Sequence, residues 1–140
     1  MIEKSLRAAL LANSAVAALV GTRIYPMILP QGSAWPGPSL TFQRISTTSP
    51  VALAGAVGPE RMRVQLDCWD KTWGGVRALA LAVKAALHGF AGSASGSEDL
   101  YGVFLDSERD FFEADVGPSG EGLYRVSADY FVHTGMEVAA

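Results

Sequence analysis

Residues 61–89 read RMRVQLDCWDKTWGGVRALALAVKAALHG, and a change of period inside this stretch decides the fold. The first half alternates. Met62, Val64, Leu66 and Cys68 share one parity, and Arg61, Arg63, Gln65 and Asp67 share the other. A period of two places the four apolar side chains on one face of a strand. In the second half the period becomes helical: Val76, Leu79, Ala80, Val83 and Leu87 form one stripe. Asp70 or Thr72 can cap the helix start, and Gly89 suits the left-handed stop after its end. Gly74 and Gly75 weaken the first turn by roughly 1 kcal/mol each relative to alanine, so packing must favour this helix. Its remaining surface carries Ala78, Leu81, Ala82 and Ala85. A helix this apolar around its girth is expected to be covered on two sides. One side is its own sheet, and the other is the N-terminal helix or another subunit.

Working outward, residues 2–12 read as a helix with Ile2, Leu6, Ala9 and Leu10 on one face. Asn13 breaks it and caps a second short helix, Ser14 to Val20, that ends at Gly21. Residues 23–25 form a short extended piece, and residues 26–38, with four prolines, form an irregular loop carrying Trp35. Ser39 to Thr48 is a strand whose alternation slips near Gln43 or Arg44, the mark of a bulge. Residues 49–60 make a small-residue loop in which Val51, Leu53 and Val57 are too apolar for a simple spacer. Beyond the long helix, 89–99 is a Gly/Ser connector, expected to be mobile like 49–60. Residues 100–106 form a strand that continues as a second one to 115 after a bend or bulge, and 117–122 is turn chemistry. Leu123 to His133 is the last strand, with Tyr124, Val126, Ala128, Tyr130 and Val132 on one face. The order predicts an α+β fold in one domain spanning 1–140: a mostly antiparallel sheet covered on one face by the long helix and the N-terminal helix pair.

Composition removes several classes. A single cysteine, Cys68, excludes an internal disulfide, and its parity predicts a buried thiol. A net charge of −3 argues against a nucleic-acid-binding module. No apolar run approaches the roughly 18 residues of a membrane span, and the opening Met-Ile-Glu-Lys has no cleavable signal pattern. High apolar content with few charges hints at surface buried in an assembly.

Chemical motifs are scarce. The glycines at 117–122 lack the Lys-Ser or Lys-Thr of a phosphate loop, and no serine sits in a nucleophile elbow. His88 and His133 have no ligand-like spacing to Cys68, and His88 suits a helix C-terminus instead. Asp106, Glu108 and Asp110 share strand parity, so they form either an acidic solvent face or a divalent-metal site of a small hydrolase, the more distant reading. Arg61 and Arg63 point from the polar face of their strand toward acidic neighbours.

The order of motifs along the whole chain resembles the phage tail completion family, the tail terminator or head-to-tail joining proteins of long-tailed phages and phage-derived particles. Two helices lead to Gly21, Arg23, Ile24, Tyr25 and Pro26, then to a Pro-rich loop and a strand with Gln43, Arg44, Ile45 and Ser46. The strand RMRVQLDCW, its long helix and the closing GLYRVSADYFVHT complete the likeness. The resemblance implies a structural virion protein with no catalytic residue, cofactor or metal. It implies a homo-oligomeric ring, typically a hexamer, at the head-proximal end of the tail, assembled in the bacterial cytoplasm. The implied partners are the tail tube protein below and the head connector above, with DNA passing through without specific binding and no membrane involved. Trp35, Val51, Leu53, Val57 and Leu81 are the candidates for assembly contacts, and Asp106, Glu108 and Asp110 for a lumen or solvent face. A head-side connector adaptor or another minor tail component is the alternative.

Overall fold

The computed structural model describes residues 2–49, 51–53, 55–56, 60–93 and 99–135. Ten elements follow one another: α1 (Ile2–Ala12), α2 (Ser14–Val20), β1 (Ile24–Pro26), β2 (Ser39–Thr48), β3 (Val51–Ala52), β4 (Gly55–Ala56), β5 (Glu60–Asp70), α3 (Trp73–Leu87), β6 (Leu100–Glu113) and β7 (Leu123–Thr134). Five strands make one sheet in the order β1-β2-β5-β7-β6, and β3 and β4 pair separately. Only β1 on β2 is parallel; the other pairings of the main sheet are antiparallel. The fold is α+β, as the periods predict.

β5 lies at the centre of the sheet, paired along its length by β2 and β7. Met62, Val64, Leu66 and Cys68 are all buried, and their cross-strand partners are Thr47, Arg44, Phe42 and Leu40 on β2 and Val132, Tyr130, Ala128 and Val126 on β7. Val76, Leu79, Ala80, Val83 and Leu87 of α3 close over this face, and Ile2, Leu6, Leu10, Val16 and Val20 of α1 and α2 complete the cluster. Val64, Leu66, Val83, Leu87, Val126 and Tyr130 therefore share one core, as expected. A bidentate pair of Arg44 with Glu3, at 2.6 and 2.7 Å, places the start of α1 over β2.

The caps are those that the sequence offers. Asn13 Oδ1 accepts from the amides of Ala15 and Val16, and Thr72 Oγ1 accepts from Gly75 N at 3.1 Å. Gly89 takes φ +85 after the end of α3. Gly75 is required by space: a Cβ there would lie 2.0 Å from Asp70 Oδ2 and 2.7 Å from the capping Thr72 Oγ1. Gly74 faces nothing within 4 Å. Gly74→Ala should therefore raise stability, by up to about 1 kcal/mol, whereas Gly75→Ala should lower it by disturbing the cap. Melting curves of the two variants test this, and the reverse order would contradict it.

The expected irregularities are present. In β2 the register slips between Arg44 and Ser46, where a bulge is predicted. Residues 100–113 are one strand, not two, and its register slips between Leu100 and Gly102 and again, at the expected bend, between Leu105 and Ser107. The extra residue is Asp106. The shared parity of Asp106, Glu108 and Asp110 is therefore broken, because an inserted residue flips every side chain after it to the other face.

Candidate assembly surfaces

The sheet has one face without helices. Arg63 holds Asp129 at 2.8 Å and Asp106 at 3.0 Å, and Arg125 holds Glu113 at 3.0 Å and Asp67 at 3.8 Å. Phe131 is sandwiched by Arg61 and Arg63, each guanidinium 4.6 Å from the ring centre. Arg125 stacks on Phe111 at 4.6 Å and Arg109 at 5.7 Å. The expected pairing to neighbouring acids thus holds for Arg63, while Arg61 lies over a ring. Across these strands four arginines (61, 63, 109 and 125) meet four carboxylates (67, 106, 113 and 129), so the face is charge-balanced.

At one end of this face the Pro-rich loop folds back over the sheet. Gly32 N donates to Pro118 O at 2.8 Å, Ser119 Oγ donates to Ser33 O, and Met27 N donates to Phe42 O at 2.9 Å. Arg23 ties the loop's far end by donating to Pro38 O and Leu19 O, both at 2.9 Å. The loop is fastened to the β6–β7 turn rather than free. Beneath it lies an open cleft of about 430 Å³, bounded by Met27, Leu29, Gln65, Asp67, Trp69 and Arg125. Met27 and Ile28 stand exposed at its mouth. The sequence reading missed this cleft. An apolar Met-Ile-Leu run between two prolines was the available signal.

The proposed contact residues are scattered. Trp35 is half-buried, Leu53 at the tip of the β3–β4 hairpin is fully exposed, and Leu81 is 59% exposed on the outer side of α3. Val51 lies in β3, and Val57 lies outside the described residues, as do 94–98 of the connector.

The acidic group divides at the bulge. Asp106 sits on the helix-free face with Arg63. Glu108 and Asp110 sit on the helix side, where Arg77 of α3 donates to them at 3.2 and 3.1 Å. Trp73 Nε1 also donates to Asp110, at 3.3 Å. Arg77 thus serves two carboxylates, Glu108 and Asp110, which leaves one surplus negative charge on the helix side of β6. Among the described residues, no group of three His, Cys, Asp or Glu side chains is placed to hold a metal ion.

Cys68 is buried, and burial first, then nearby Asp67 and Glu108, push its thiol far above the ordinary range. A thiol so held is not a nucleophile. Burial also raises Tyr130. His88 stands at the C-terminal cap of α3, as expected, and its Nδ1 accepts from Leu105 N at 3.0 Å, which fastens the end of the helix to β6. Among the described residues, no helix is long and apolar enough to cross a membrane.

Comparison with known proteins supplies the family. The family model described as tail completion protein gp17 matches residues 4–133. A solved structure described as the virion of a native gene transfer agent particle contains a chain of similar fold. Its TM-score is 0.69 at 20% identity, covering 96% of this chain and 94% of that one. No curated protein matches.

Proposed function

Because this chain belongs to the tail completion protein gp17 family and is a structural, non-enzymatic tail component of a phage-like particle, we propose that it forms a closed ring at the head-proximal end of the tail tube. There it stops tube growth and joins the tail to the head connector. The observation that carries this reading is the family match over nearly the whole chain. Physical support comes from the surfaces. A tail terminator needs a face that docks on the tube, a face that accepts the connector, and lateral contacts to its own copies. The loop-covered cleft, the exposed Leu53 hairpin and the outer side of α3 at Leu81 are exposed surfaces open to such contacts. The same surfaces would suit a connector adaptor one position nearer the head.

DNA must slide through such a ring without adhering. Binding to duplex DNA is driven by unpaired cations that displace counterions. Here the arginines of the helix-free face are matched by carboxylates, and the chain carries −3. The partners are thus the chain's own copies, the tube protein and the connector, each met through a surface rather than a pocket for a small molecule.

The test is polymerisation of the particle's own tail tube protein with and without this chain. Added chain should arrest growth and leave one additional ring on a single end of each tube. Tubes that lengthen unchanged, with the chain left in solution, would overturn the terminator reading.

A further inference from the structure

The two edges of the main sheet are each half covered, at opposite ends. β1 covers β2 only from Leu40 to Phe42, so Ile45–Thr48 have no strand beyond them among the described residues. On the far side, the chain leaving α3 covers the start of β6: Gly89 N donates to Val103 O at 2.7 Å and Val103 N to Phe90 O at 3.0 Å. Past Leu105, no described strand lies beyond β6.

Beside the free half of β6 stands a projection. Trp73 is 56% exposed and Phe112 is 59% exposed, and Glu108 and Asp110 share the single guanidinium of Arg77 between them. A depression runs along α1, from its first turn beside β2 toward Thr22 at the root of β1, where Arg7 donates at 3.4 Å. Lys4, Arg7, Ala8, Leu11 and Ala12 of α1 line an open groove of about 370 Å³, and the Glu3–Arg44 pair anchors that end of α1 over the free part of β2. One edge is an apolar projection with surplus acid. The other is an apolar groove with a basic rim.

We propose that these two edges are one lateral interface: the free half of β6 with Trp73 and Phe112 of one copy seats on the free half of β2 and the α1 groove of the next. The proposal rests on the ring reading above and names its contact. Charge selects the occupant. Residues 2–49 carry Lys4, Arg7, Arg23 and Arg44 against Glu3 alone, whereas residues 99–115 carry six carboxylates against Arg109. Two β6 edges repel each other, which disfavours a two-fold dimer, while unlike edges attract. The contact is thereby head-to-tail, the kind that closes into rings.

The geometry agrees. β2, β5, β7 and β6 alternate in direction, so β6 of one copy meets β2 of the next antiparallel. Thr47 aligns with Met62, and Asp110 aligns through Val126 with Cys68, six positions along β5. Joining the free halves shifts each copy by about 20 Å along the strands for about 19 Å across four strands. The resulting tilt is about 45°, at the upper end of the range of closed barrels. With this shift, β1 of one copy falls below the neighbouring β6, and the segment at 89–92 falls above the neighbouring β2, so neither obstructs the other.

Charge exchange tests the interface. Lys4→Glu/Arg7→Glu makes both edges acidic, and Asp106→Lys/Asp110→Lys reverses the charge along the free half of β6, residues 106–113, while leaving Arg63 and Arg77 one carboxylate each. Each variant alone should sediment as a single copy and melt like wild type. An equimolar mixture should regain the mass of the wild-type ring, with the two kinds alternating. Carbodiimide cross-linking of wild type gives an independent readout. Lys4 should join to Glu108 or Asp110, groups on opposite edges of one copy, roughly three strand spacings apart. Wild-type rings without that cross-link, or variants that assemble unaided, would overturn this interface and leave the ring reading intact. Wild type that makes no ring, free or on tube ends, would overturn the ring reading itself.

Discussion

Leu66→Ala should lower the free energy of unfolding by about 2–5 kcal/mol, the range for truncating a large aliphatic side chain in a close-packed interior. Leu66 is 1% exposed at the centre of β5. It faces Phe42 on β2 and Ala128 on β7, with α3 above. Alanine at 128 has no side chain to swing into the space, and the helix is held by its other anchors, so the cavity persists. Domains of this size are stable by only about 5–15 kcal/mol, so the variant would lose a large fraction of its margin. Leu81→Ala, on the exposed side of the helix, should stay within about 0.5 kcal/mol. Urea titrations of the two variants give the comparison, and a Leu66 effect as small as that of Leu81 would contradict the placement of the core.

Much of this architecture is local in the sequence. β5 and α3 are adjacent and obey opposite periods, so their core faces could be named from spacing alone, and Asn13, Thr72 and Gly89 mark helix ends by chemistry that acts within a turn. Cys68 follows from parity. What escaped is non-local. A bend or bulge after residue 106 was legible, but a bulge has no required residue type, so LDSERD does not say that Asp106 is the extra residue and leaves the row that Glu108 and Asp110 share. The parallel pairing of Ile24–Pro26 on Leu40–Phe42 depends on a loop of prolines turning back across the sheet. The hydrogen bond from Leu105 to His88 depends on which strand edge the connector happens to follow. The candidate surfaces were only partly visible for the same reason. Leu81 could be read from an apolar helix girth, but Trp73 reaches Asp110 only because α3 packs beside β6. The lateral edges could not be recognised before the strand order was known.

Particles made without this chain should carry tails of uncontrolled length that fail to join heads. Tube rings add to tube ends because each presents the surface that the next one binds. A terminator must bind that surface and refuse a further ring, which needs a repulsive element as well as an attractive one. Without it, growth is limited only by the supply of tube protein or by other length-setting components, and the connector finds no surface to bind. The most direct measurement is the distribution of tail lengths, by electron microscopy, in lysates with the chain deleted and with it restored. The expected result is a broad distribution with headless tails on deletion, narrowing to one length with attached heads on restoration. Deleted particles with tails of one normal length joined to heads would contradict the terminator role and leave a minor tail component.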